Sequence, residues 1–237
     1  MKTDVKNLQY LSFELAPCCN LAKDHPWCPI NDPLRYPKYE SRHRCPDEKI
    51  VEFVMTMIFR GFRGHFAFHF YSDPLIDIRR FLNLIQSITH LWAPAKFCLW
   101  TNGVLLDAQC QNWLHLFSQI NVTLYRPEDK SRIEKLTTGH NVRFMESCPD
   151  DRRQIYDCTS YRKISCQRPA IIELPVNYYG NIRLCCADYR GCVSIGNIQF
   201  ESHDNVITAF EEAAQQALLG NIKLCQQCAA MKHNSVS

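Results

Sequence analysis

The chain lacks an apolar run of the twenty or so residues that a membrane-spanning helix needs. Its most apolar stretches, such as "IVEFVMTMIFRGF" (50–62), are broken by charge well before that length. No targeting segment opens it either. "MKTDVKNLQYLSFELAP" carries charges through its first six residues and has no apolar core of signal-peptide length. A charge excess is also missing: 27 Lys and Arg against 24 Asp and Glu leave a formal charge of +3. The basic residues are scattered, with no phosphate-tracking run. Neither nucleic acid nor a membrane is therefore expected as a partner, and a cytoplasmic location is. Internal repeats and low-complexity tracts are absent as well.

What is present is cysteine. Fourteen of the 237 residues are Cys, in a chain whose 46% hydrophobic and 22% charged fractions are those of a globular protein. That length suits one large domain, or a domain with a small appendage. Reducing cytosol disfavours structural disulfides, so the clustered cysteines are expected to hold a metal or a cluster.

Hydrophobic periodicity alternates between strand and helix over the first two thirds. Strands are read at "LQYLSFEL" (8–15), "HFAFHFY" (65–71), "KFCLWTNG" (96–103), "INVTLY" (120–125) and "NVRFMES" (141–147). Helices are read between them at "DEKIVEFVMTMIF" (47–59), "DIRRFLNLIQSITHLW" (77–92), "LDAQCQNWLHLFSQI" and "PEDKSRIEKLTTG". Such βα units predict an α/β fold with a parallel sheet, here a partial (β/α) barrel over residues 1–150. Chemistry in such folds gathers at the C-terminal ends of the strands, so the cysteine loop, "YSDP", "TNG" and "YRPED" should share one rim. Tyr71, Asp73, Thr123 and Tyr125 lie on that rim. Residues 151–237 read as a cysteine-bearing appendage: a hairpin of "AIIELPV" and "NIRLCC" joined through "NYYG", then the helix "DNVITAFEEAAQQALL" (204–219).

Two cysteine constellations carry the chemistry. "PCCNLAKDHPWCP" (17–29) alone is compatible with a disulfide, a zinc ion or an iron–sulfur cluster. Cys166, Cys185 and the pair Cys225-x-x-Cys228 offer four thiolates, which suit zinc and a cubane equally on spacing.

Taken in order, these pieces resemble a radical S-adenosylmethionine (radical SAM) enzyme with a twitch domain, the shortened form of the SPASM domain. The resemblance rests on Cys166, thirteen residues, Gly180, four residues and Cys185, followed by "CADYRGCVSIGNI" and the closing "CQQC". In the barrel it rests on "ELAPCCNL", "FHFYSDPLID", "WTNGVLL" and "DRRQI" (151–155). It implies an auxiliary 4Fe–4S cluster on Cys166, Cys185, Cys225 and Cys228. It also implies a S-adenosylmethionine site at Tyr71, Ser72, Asp73, Thr101, Asn102 and Thr123, with Arg152 as the carboxylate partner. The family's first 4Fe–4S cluster is held by CxxxCxxC, and here the pattern departs. Cys19 and Cys28 fit its first and third positions, while the middle one falls on His25 in C-x5-H-x2-C. Cys45 and Cys18 compete with His25 for that role.

The resemblance implies reductive cleavage of S-adenosylmethionine and hydrogen abstraction from a substrate, with the auxiliary cluster accepting an electron. "FHFYSDPL" is most similar to the twitch enzymes that dehydrogenate an amino-cyclitol, so a small polar substrate is expected. An electron donor such as flavodoxin or ferredoxin would be needed. Peptide modification in natural-product maturation is the alternative, although no leader-recognition domain is visible. A non-catalytic zinc- or cluster-binding module is the second alternative.

Overall fold

Six parallel strands form one sheet in the order β5-β4-β3-β2-β1-β6: Tyr10–Phe13 (β1), His65–Ala67 (β2), Lys96–Thr101 (β3), Phe117–Leu124 (β4), Val142–Glu146 (β5) and Glu173–Val176 (β6). The computed structural model describes residues 3–26, 28–35, 43–146 and 165–228. The expected α/β architecture with a parallel sheet is observed. The expected boundary at 150/151 falls outside the described residues, as do "DRRQI" and Arg152.

The helices form where apolar spacing and capping agree. Helix α1 (Asp47–Phe59) buries Ile50, Phe53, Val54, Met57 and Ile58, a three- and four-residue repeat that lays one stripe on the sheet. Each such side chain contributes roughly 1.5–3 kcal/mol by leaving water. Asp47 and Glu48 occupy the positive end of its dipole. Helix α2 (Ile78–Leu91) buries Phe81, Leu84, Ile85 and Ile88 beside it, and Asp77 accepts from Arg80 N to start it. Helices α3 (Lys130–Leu136), α4 (Arg168–Ile171), α5 (His203–Leu218) and α6 (Lys223–Gln227) follow. Among the described residues, no helix is long and apolar enough to cross a membrane.

Three expectations are corrected. The segment expected as a helix before the fourth strand is two 3-10 turns, Ala108–Asn112 and Leu114–Leu116. Side chains take backbone groups at its start: Gln109 N donates to Asp107, and the Leu106 carbonyl accepts from Arg132. β2 stops at Ala67, four residues early, because the chain beyond it turns to side-chain acceptors. Tyr71 N donates to Glu14 Oε1 at 3.3 Å. The appendage hairpin is reduced to one antiparallel bridge, Val176↔Ile182. Its first arm instead becomes β6, which pairs with β1 in parallel and so completes the sheet.

Candidate active site

The strands end in loops that are tied to one another. After β1, Glu14 is buried and serves as a hub. It accepts from Arg35, itself 1% exposed, and from the backbone N–H groups of Tyr71 (3.3 Å) and Tyr178 (3.4 Å). It thereby joins the end of the cysteine loop to the loops after β2 and β6. Arg35 also lies 5.3 Å from the Tyr71 ring centroid.

After β2, Asp73 is buried and caps a 3-10 turn by accepting from Leu75 N at 3.0 Å. Its other oxygen accepts from Thr101 Oγ1 and Asn102 N, both at 2.7 Å. Burial pushes its carboxyl up from the ordinary value while these donors pull it down. After β3, Gly103 takes φ +76°, where any Cβ would run into the Ile133 side chain. The turn turns Asn102 towards the cysteine loop: Asn102 Nδ2 donates to Asn20 Oδ1 at 2.8 Å. Asn20 Oδ1 in turn lies 3.6 Å from Cys19 Sγ. One continuous network thus runs from Asp73 through Thr101, Asn102 and Asn20 to Cys19.

These loops enclose a cavity of about 380 Å³. Cys19, His25 and Cys28 line it together with Tyr71, Ser72, Asp73, Thr101, Asn102 and Thr123. Of the three competing side chains, only His25 faces the cavity. Its ring stands 5.1 Å from that of Tyr125, and Arg126 pairs with Asp24 at 2.7 Å to hold this part of the loop against the end of β4. Cys18 is exposed and does not line the cavity. Cys45 is 2% exposed in the core, 3.2 Å from where a Cβ on Gly180 would stand. Burial pushes its thiol up to about 12. Burial also raises Cys19.

The second cysteine set is built differently. Cys166, Cys185 and Cys225 are buried, and they come from the approach to α4, the segment after β6, and α6. Cys225 feels the charge of Cys166, Cys185 and Cys228, so one thiol is electrostatic neighbour to the other three. A hydrogen bond between the Cys166 and Cys225 thiols lowers Cys166 and raises Cys225. Gly180 (φ +80°) permits the turn that returns the chain to Cys185. Asp188, fully buried, folds the following loop by accepting from Cys192 N at 2.7 Å. Among the described residues, no three His, Cys, Asp or Glu side chains stand close enough to share a single metal ion.

The loops that follow Cys28 and Cys185 meet at a contact that composition could not show. Asp32, just beyond Cys28, accepts from Tyr189 Oη (3.0 Å) and from Arg190 Nε (2.9 Å) and Nη2 (2.7 Å). Above it, Phe70, Tyr71 and Tyr189 form an aromatic wall against which both Cys28 and Cys186 pack.

With this geometry in view, comparison with solved structures fixes the architecture. The chain superposes on BtrN in complex with AdoMet and 2-DOIA with a TM-score of 0.72 at 19% identity, covering 94% of this chain and 93% of that one. This is the fold of BtrN. Selenomethionine BtrN in an open conformation gives a TM-score of 0.65 at 20% identity, covering 94% and 92%. SuiB of Streptococcus suis bound to the precursor peptide SuiA gives 0.50 at 11% identity, covering 98% of this chain and 74% of SuiB. No family model and no curated protein matches the sequence.

Both donor sets suit the groups that the sequence resemblance implies. Two thiols and an imidazole on one cavity wall can hold a cubane while leaving one iron for a further ligand. Four thiols drawn from separate segments, three of them buried, can close a second one.

Proposed function

We propose that the protein is a radical S-adenosylmethionine oxidoreductase acting on a small polar substrate. One observation carries the reading. A single cavity is lined by Cys19, His25 and Cys28 together with the loop ends Tyr71–Asp73 and Thr101–Asn102. The motif resemblance and the BtrN fold support it.

When bound, a cluster and S-adenosylmethionine supply reductive cleavage to a 5′-deoxyadenosyl radical, which abstracts hydrogen from substrate; that chemistry belongs to the cofactors. The chain's own residues position and exclude. Cys19, His25 and Cys28 would hold the first 4Fe–4S cluster, and His25 is the third ligand in this reading because Cys45 and Cys18 do not line the cavity. Backbone groups of residues 71–73 would receive the methionyl amino group. Arg152 would present its forked guanidinium to the carboxylate. Asp73, by fixing Thr101 and Asn102, keeps the third-strand loop against the cysteine loop. Phe70, Tyr71 and Tyr189 form a buried aromatic cluster against which Cys28 and Cys186 pack. Cys166, Cys185, Cys225 and Cys228 would hold the auxiliary 4Fe–4S cluster that accepts an electron, which makes the net reaction an oxidation. A flavodoxin or ferredoxin would provide the initial reducing electron.

A peptide substrate is the second reading, and the SuiB likeness favours it. Anaerobically reconstituted protein, reduced with dithionite, should convert S-adenosylmethionine to 5′-deoxyadenosine and methionine. Bound zinc without sulfide, and no cleavage, would instead leave a non-catalytic metal module.

A further inference from the structure

The cavity and the second cysteine set meet at an ion pair that has no role in the function proposed above. Arg168, Glu173 and Cys186 line the cavity. Arg168 opens α4, two residues beyond Cys166, and Cys186 directly follows Cys185. α4 is a single turn, so the chain comes round at once to Glu173, the first residue of β6. Glu173 is 2% exposed, and its Oε1 accepts from Arg168 Nη2 at 3.2 Å. The Arg168 side chain itself is half-exposed.

The guanidinium lies within electrostatic reach of three thiols. Cys186 does most to raise Arg168; burial opposes it, and Glu173 and Cys185 add to it. Burial raises Cys185, and the charge of Arg168 works against that rise. Cys166, lowered first by its hydrogen bond with Cys225, is lowered further by the backbone N–H and the charge of Arg168. A fixed cation therefore stands beside the thiols assigned to the auxiliary cluster, with one fixed anion bonded to it. An ion pair with a buried partner is weak evidence of a stabilising device. What it does supply is a field. Cluster potentials follow local charge and surroundings, and a nearby cation favours an added electron while an anion disfavours it.

We propose that Arg168 and Glu173 are positioning residues that set the reduction potential of the auxiliary cluster. The guanidinium raises it, and the carboxylate, by pairing with that guanidinium, limits the rise. The pair acts through the cysteines and lines the cavity as well, so its field favours passage of an electron from the cavity to the cluster. The inference deepens the function proposed above and rests on its auxiliary cluster.

Redox titration followed by electron paramagnetic resonance tests it on the full chain, anaerobically reconstituted, with S-adenosylmethionine present. The auxiliary signal is the one that S-adenosylmethionine does not shift. Arg168→Met should lower its potential by at least about tenfold in the reduction equilibrium, or about 59 mV for one electron. Arg168→Lys, which keeps the charge, should stay close to wild type. Glu173→Gln leaves the guanidinium uncompensated and should raise the potential. Opposite signs separate a field from a packing defect, because a loosened site would admit water and move both variants the same way. Iron content should be unchanged in all three. Should either Arg168→Met or Glu173→Gln fail to fold by circular dichroism, the double variant carries the test, since it strands no buried charge. It should lie below wild type, because the guanidinium is the partner beside the thiols; an equal or higher potential overturns the proposal. If both single variants fold and leave the potential unchanged, or shift it in the same direction, the pair's role is overturned alone. If wild-type protein holds only about four irons and shows no unshifted signal, the auxiliary cluster falls and takes the inference with it.

Discussion

The two cysteine regions differ in how the fold reaches them. The C-terminal set is assembled from distant parts of the chain. Its thiols arrive from separate segments, three are buried, and Cys225 neighbours all the others. The N-terminal set is open. Cys19, His25 and Cys28 sit in one turn-rich loop, half-buried at most, and share a wall with a cavity. A closed four-thiol site is suited to storing or passing an electron. An open three-ligand site leaves room for something else to bind. The difference lies in which segments the core brings together, since single cysteines look alike in both regions.

Breaking the open region should have the largest effect. Cys19→Ala or Cys28→Ala should reduce S-adenosylmethionine cleavage below detection and lower iron content by about half, with the other cubane retained. Substituting His25, Cys45 and Cys18 by Ala separately should show the same iron loss only for His25. Retained iron and activity in all three variants would contradict the assignment. Cys225→Ala should do the reverse: iron again falls by about half, while cleavage of S-adenosylmethionine persists and substrate oxidation is lost.

The open loop ends on a buried ion pair between Arg35 and Glu14. Arg35→Met leaves the Glu14 carboxylate buried and uncompensated, and should cost about 3–5 kcal/mol of unfolding free energy in urea titration. Adding Glu14→Gln should restore part of that loss. Arg152→Ala should weaken S-adenosylmethionine binding about tenfold or more, with little change in the melting temperature. Unaltered affinity would remove Arg152 from the site.

The smallest effect sharpens the link between the regions. Burial alone would raise the Asp32 carboxyl, but hydrogen bonds from Leu34 N, Arg190 and Tyr189 outweigh it and hold the group below the ordinary value. A depressed carboxylate binds fewer protons folded than unfolded. Its stabilisation is therefore full above about pH 4 and is lost as pH falls through the folded value. Asp32→Asn should cost about 1.5–3 kcal/mol at neutral pH, the range for hydrogen bonds to a charged group. The variant should also lose less stability than wild type on acidification. Identical acid limbs for the two proteins would show that Asp32 does not link the loops through its charge.

The α/β alternation was largely legible from periodicity, because α1 and α2 have clean apolar stripes and acids at their starts. β6 was not. "NYYG" is a true turn, and the Val176↔Ile182 bridge is the start of a hairpin, but pairing with β1 depends on a strand more than 150 residues away. The 3-10 segment was misjudged because its apolar spacing is helical, while Arg132 takes the Leu106 carbonyl that the first helical turn would use. In the site, Cys19, His25, Cys28, Asp73 and Asn102 could be grouped because each follows a strand and must reach the same rim. Glu14, Arg35, Asp32 and Glu173 gave no local signal. Their roles come from partners such as Tyr178 and Tyr189, which only the fold brings near.

The contrast between an open and a closed site is tested most directly by electron paramagnetic resonance of the reconstituted, dithionite-reduced protein with and without S-adenosylmethionine. Two overlapping cubane signals are expected. Only one should shift when S-adenosylmethionine is added, and that one should be missing from Cys19→Ala. If neither signal shifts, or if the shifting signal survives in Cys19→Ala, the loop at residues 17–29 is not the open site.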